Sequence, residues 1–360
     1  MQLKRSWLVG LIGLVVVLIF SLTILGDSDE PTSQLKPAPA VPRDRQIEVG
    51  MHIKNIYNFS LHDQTFSAEG WLWLKWPQSI QALIEADQIQ PEHLVELANQ
   101  IEGSDLDLHP ETSEPERLAD GRYLQLFRFS GKLYDDEQNL RNYPFATSAL
   151  PVNVEVRRSE FSMGSAGVVL VPKVDASELR GDSVTFNGYS LAGVRIRDAI
   201  HAYSTSFGEE GVTRAGDYSQ VSFEILYRTN GWAAFYRTIL PWLAVMVIMV
   251  LAPNLEGSEQ SPRLSIPSTA LLTLVFLQQG AHSELPPLDY LTFLDKLYLF
   301  GYVMAAAEFW LFVWGTNLIS RASASEQQRV AARINRIDLT YQVTAIGGAA
   351  CLLLLGRASG

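Results

Sequence analysis

Cysteine is almost missing from this chain. Cys351, in the last apolar run, is the only one among 360 residues, so no internal disulfide and no cysteine-based metal site can form. Its thiol reads as a small apolar filler. Positive charge is short as well: 28 Lys and Arg stand against 39 Asp and Glu, a formal net charge of −11. A nucleic-acid binder needs a basic face that displaces counterions from phosphate, which excludes that class. The six histidines are scattered singly. The chain has no HExxH pattern, no nucleophile beside a base and no glycine-rich phosphate loop, so no enzymatic activity, cofactor or metal is expected. A repeat of fixed period is also missing.

Apolar residues, by contrast, are abundant and unevenly placed. Residues 7–26, WLVGLIGLVVVLIFSLTILG, form an uncharged run of about bilayer-spanning length behind Lys4 and Arg5. The small residues Gly26-Asp27-Ser28 fit a signal-peptide cleavage site, and an uncleaved anchor fits the length equally well. Residues 1–28 are therefore read as a signal peptide or N-terminal anchor, and either one exports the segment C-terminal to it. Residues 29–46 hold Pro31, Pro37, Pro39 and Pro42 and read as an extended linker.

From residue 47 to about 231 the pattern has period two. In QTFSAEGWLWLKW, Phe66, Ala68, Leu72, Leu74 and Trp76 share one face, with Ser67, Glu69, Trp71, Trp73 and Lys75 on the other. Similar alternation marks 122–129, 152–156, 192–198 and 218–228, with one helix-like insert at 79–101. This predicts an all-β sandwich of immunoglobulin type with about ten strands. From 232 to 360 the chain carries apolar runs at 238–253, 264–281, 291–315 and 338–355, the pattern of four transmembrane helices. Arg321, Arg329, Arg333 and Arg336 lie between the last two runs, whereas HSELPPLDY lacks Lys and Arg. The positive-inside bias then predicts a multi-pass inner-membrane protein with its β-domain outside the cytoplasm.

The second run, SPRLSIPSTALLTLVFLQQGAHSELP, is too polar for a helix surrounded by lipid. Helical spacing puts Ser265, Thr269, Leu272, Phe276, Gln279 and Ser283 on one face. That face must be hidden in protein or wetted. Packing against neighbouring helices satisfies it, and so does a pore built from several copies. Its apolar middle and polar ends match a hydrophobic constriction with wet flanks.

These residues resemble the pentameric ligand-gated ion channels in their bacterial form, which lack the disulfide-closed loop. The match runs through Arg263, Ser265, Thr269 and Leu272 of the second apolar run, Pro286 and Pro287 in the following loop, and Asp295 at the start of the third helix. Upstream, FEILYRTNGWAAFYRTILP with Arg228 and Pro241 is similar to the family's last strand and first helix. NYPFA (142–146) is similar to its membrane-facing loop, and EGWLWLKW, with Trp71 and Trp76, to its tryptophan-bearing strand. Ala146 and Gln78 stand where the family usually carries Asp, and Pro262 stands where its cation-selective members carry Glu.

The resemblance implies a homopentamer around a pore lined by residues 264–283, opened by a small molecule or a proton. Glu256, Glu259 and Arg263 are the selectivity candidates, and cations are the expected inorganic ions. The ligand would meet Tyr203, Phe207 and Tyr218, with Trp71 of a neighbouring copy, aromatic faces that suit an amine. Glu209 and Glu210 lie in the same loop. Coupling would pass through His62, Tyr143, Pro144, Phe145, Arg228, Pro286 and Pro287, with His282 and Glu284 nearby. The rival expectation is a non-conducting membrane receptor or assembly protein of the same fold.

Overall fold

The computed structural model describes residues 35–101, 108–135, 138–185, 188–205, 216–255, 260–323 and 325–358. The run at 7–26 and residues Phe207, Glu209, Glu210, Glu256 and Glu259 lie outside them. Contacts divide the chain into two units, one of residues 30–138 and 147–228, the other including 139–146 and 229–360.

The first unit is β-rich. Its strands are β1 (Leu35–Pro37), β2 (Gln46–Ser60), β3 (Thr65–Trp76), β4 (Val95–Leu97), β5 (His109–Pro110), β6 (Glu116–Arg117), β7 (Tyr123–Tyr134), β8 (Thr147–Val156), β9 (Val169–Pro172), β10 (Arg180–Ser183), β11 (Tyr189–Ala202) and β12 (Asp217–Thr229). Among the described residues two α-helices interrupt them, α1 (Gln78–Ala86) and the short α2 (Ala176–Leu179). One sheet runs β1-β11-β12-β8-β4. The other runs β10-β2-β3-β7-β5, with β6 on β7 and β9 on β2.

The period-two pattern explains how these sheets pack. Phe66, Ala68, Leu72, Leu74 and Trp76 of β3 are all fully buried. They join Val49 and Met51 of β2, Phe127 of β7, Val152 of β8 and Phe223 of β12 in one apolar cluster, so the two sheets share a core. Each such side chain removed from water contributes about 1.5–3 kcal/mol to folding. Gly70 is fixed by proximity, since a Cβ there would lie 2.1 Å from the carbonyl oxygen of His52 on the paired strand.

Two expectations are corrected. The insert at 79–101 is α-helical only through Ala86: Gln88 takes φ +50°, Pro91–His93 form a single 3-10 turn, and Val95–Leu97 then pairs with β8. The 29–46 stretch is not wholly a linker, because Leu35–Pro37 pairs antiparallel with β11, Pro37 opposite Ala199. With the two-residue β5 and β6, this brings the strands among the described residues to twelve rather than about ten.

Among the described residues, the second unit holds four helices long and apolar enough to cross a membrane, α3 (Gly231–Asn254), α4 (Gln260–His282), α5 (Phe293–Ser320) and α6 (Gln327–Ala358). By length and composition this is a multi-pass membrane protein. The side chain of Asn230 caps α3, accepting from the N–H groups of Trp232 and Ala233. The turn at Phe235–Ile239 is widened just before Pro241, which offers no N–H to the carbonyl four residues back. A Thr292/Asp295 capping box starts α5. Trp242, Met249, Leu274, Leu297, Met304 and Ala345 form the bundle core, and the Trp242 indole donates to the Leu297 carbonyl at 3.0 Å. Pro267 stands inside α4.

Candidate functional site

The two faces of α4 differ sharply. Arg263, Pro267, Ala270 and Leu274, spaced by four, three and four residues, are buried in the bundle. Across the helix Ser265, Ser268, Thr269, Leu272, Phe276, Gln279 and Ser283 are exposed, Leu272 at 56% and Phe276 at 67%. The polar stripe is therefore on the outside of the chain's own bundle. The Ser265 hydroxyl donates to the Pro262 carbonyl at 3.1 Å and that of Ser283 to Gly280 at 2.8 Å. Both bonds stay on the same segment, which leaves the hydroxyl oxygens turned outward. Of the flanking apolar residues, Leu274 packs fully, Leu264, Ile266 and Leu277 partly, while Leu271 and Val275 are exposed.

Arg263, expected beside the stripe, stands on the buried side instead. Its Nη2 lies 2.6 Å from Asp338 Oδ2 of α6, and the guanidinium sits 4.4 Å over the Phe312 ring of α5. The charge is thus compensated inside the bundle, where an unpaired cation would be costly. Asp338 carried no recognisable motif. Nor did Glu308, fully buried on α5 and bonded to the Tyr341 hydroxyl at 3.4 Å.

At the C-terminal end of α4 the polar groups interlock. His282 Nε2 lies 2.6 Å from Asp295 Oδ1, while the other oxygen of Asp295 accepts from Thr292 in the capping box. Gln278 accepts from the Tyr302 hydroxyl. Glu284 accepts from Arg237 at 2.5 Å and from the Tyr143 hydroxyl at 3.4 Å. The 139–146 loop joins here through Phe293 N–H to the Arg141 carbonyl (2.7 Å), the Leu140 N–H to the Tyr290 hydroxyl (2.9 Å), and Phe145 against Phe293. The Tyr143–Pro144 peptide bond is cis. Pro286 is buried and Pro287 exposed. The structure thus brings Tyr143, Phe145, His282 and Glu284 to one end of the helix bundle.

His62 and Arg228 belong to the β-rich unit. His62 is exposed, 3.1 Å from Asp63. The Asp63 carboxyl is held below its usual range by the Ser60 hydroxyl and by His62. Arg228 is exposed, and its carbonyl accepts from Ser190 at 3.2 Å.

The β-rich unit has an open cleft of about 480 Å³, whose walls include Glu96, Glu155, Arg157, Glu160, Tyr203 and Tyr218. Tyr203 and Tyr218, two of the aromatic residues singled out from the sequence, meet edge to face at 5.6 Å. The Tyr203 hydroxyl donates to Glu155 Oε1 at 2.6 Å, and His201 Nδ1 lies 2.7 Å from Oε2. Burial, then the bond to Glu155, pushes the Tyr203 phenol well above its ordinary value. The bond to Glu155 raises His201 against the opposing effect of burial. Glu96 faces Glu155 across β4 and β8. Burial first, and then the charge of Glu155, raise its carboxyl. Trp71 lies on the other sheet, with its ring 5.8 Å from that of His52. Sequence reasoning missed His201 and Glu155, although His201 and Tyr203, two apart on alternating structure, were a usable signal for a shared face.

No protein-family model matches the chain, and no curated protein matches it either.

Proposed function

We propose that this protein is a ligand-gated ion channel in which five copies surround a pore lined by α4. The observation that carries this reading is the outward position of the polar stripe. Ser265, Thr269, Gln279 and Ser283 are exposed on a helix of membrane-spanning length and are not sealed by their own bundle. The Ser265 and Ser283 hydroxyl protons go to backbone carbonyls, but lipid offers no donor to their oxygens and no partner to the Gln279 amide at that depth, and water along a symmetry axis does. Leu272 and Phe276, repeated five times, form a ring that closes the passage by dewetting, with hydroxyls on either side to replace part of an ion's hydration. The same exposure counts against the non-conducting rival, in which helix packing would cover the stripe.

Cations are the permeant species in this reading. The net charge of −11 concentrates them at the mouth. Arg263 offers no opposing field, because Asp338 neutralises it within the bundle. A small organic cation in the cleft, held by the faces of Tyr203 and Tyr218 and by Trp71 of an adjacent copy, is the agonist class.

Purified protein in planar bilayers under a KCl gradient tests the proposal. Gated currents reversing near the potassium potential are expected. Reversal near the chloride potential overturns cation selectivity, and silence in the presence of bound ligand overturns the channel.

A further inference from the structure

Glu155 sits at the back of the cleft with a residue exposure of 1%, so its charge acts through a poorly screened wall. Both its oxygens are taken. Tyr203 donates to one, and the half-buried ring of His201 contacts the other, 4.2 Å from the Tyr203 ring. A neutral His201 donating from Nδ1 leaves the full negative charge of Glu155 to act on the cleft. Protonated, His201 cancels that charge and places its own positive charge beside the aromatic wall.

We propose that a monovalent organic cation in this cleft and a proton on His201 exclude each other, so that ligand binding expels the proton. The inference rests on the reading of this cleft as the ligand site. Linkage fixes the sign. The bond to Glu155 holds the proton on His201 to higher pH than on a free imidazole, and affinity for the cation therefore falls as pH falls through that titration.

The other groups around the pair do not supply the same switch. Arg157, Arg158 and Glu160 follow β8 along the cleft rim, and Arg158 is paired with Glu160 at 3.2 Å. Arg157 is paired with Glu96 at 3.7 Å. Tyr218 contributes an uncharged ring from β12. On the edge strand, Leu35 lies opposite His201 and Lys36 is paired with Asp217 at 3.6 Å. Glu96, whose carboxyl is raised by burial and by the charge of Glu155, also lines the cleft, and variants at His201 separate the two.

The test uses the full chain in lipid nanodiscs and tetramethylammonium, whose charge does not titrate, with affinity measured by calorimetry near pH 5.5 and near pH 8.5. Wild type is expected to bind about tenfold more weakly at the lower pH. His201→Gln keeps a bond to Glu155 but cannot take the proton; it should bind tightly at both values. His201→Lys carries a fixed charge and should bind weakly at both. A folding defect cannot move two variants of one residue in opposite directions. Equal wild-type affinity at the two pH values overturns the proposal, as does a wild-type slope retained in His201→Gln or an absence of binding at either pH. A pH-dependent affinity in a protein that carries no current upholds it while defeating the channel reading.

Discussion

Replacing Leu272 with Ser is expected to hold the proposed channel open without ligand. In the proposed ring each of five copies contributes an apolar side chain that is 56% exposed on the isolated chain and covered only by its equivalents across the axis. If the serine weakens closed-state apolar packing by even ~0.5 kcal/mol per copy, a fraction of the contribution from burying a leucine, the five copies together give about 2.5 kcal/mol. That corresponds to a shift of roughly 60-fold toward the open state. A hydroxyl at this level also wets the constriction, which lowers the barrier further. Bilayer recording reads the effect directly as leak current in the absence of ligand. Ala270→Ser, on the buried face of the same helix, provides the comparison and should leave spontaneous opening near the wild-type level.

Replacing Asp338 with Ala is expected to destabilise the bundle by about 3–5 kcal/mol, the usual result of stripping one partner from a buried ion pair. Arg263 and Asp338 are 7% and 6% exposed. The Phe312 face at 4.4 Å remains for the stranded guanidinium, but a cation–π contact is worth only about 0.5–2 kcal/mol and does not replace a carboxylate. The pairing joins α4 to α6 over 75 residues of sequence. Its removal should lower the unfolding midpoint in detergent and loosen the packing of α4. The double variant Arg263→Met, Asp338→Leu removes both charges and fills the space, and it should recover most of the stability. Recovery by the double variant separates the cost of an unpaired charge from that of missing packing volume.

The sequence was most readable where a local period met a single partner surface. The alternation from Phe66 to Trp76 placed five side chains on the core face, and all five are fully buried. The α4 stripe was equally plain, since positions four and three residues apart must share a helical face whatever surrounds them. Propensity failed after Ala86, where an apolar run with helical spacing turned at Gln88 and delivered Val95 and Leu97 to the edge of a sheet. Glu155 lies on the outward side of the VNVEV alternation, yet it is buried because His201 and Tyr203 close over it. Arg263 went the same way for a related reason. A charge enters a bundle only with its counter-charge, and Asp338, far along the chain, leaves no local signature. Burial of polar residues was therefore illegible wherever the compensating group came from a distant element.

Imaging of single particles purified in lipid shows what surrounds the exposed side of α4 in the assembled protein. A channel requires fivefold symmetry with Ser265, Thr269, Leu272 and Phe276 of every copy turned to a water-filled axis. Another stoichiometry, or those side chains turned outward to lipid, would contradict it.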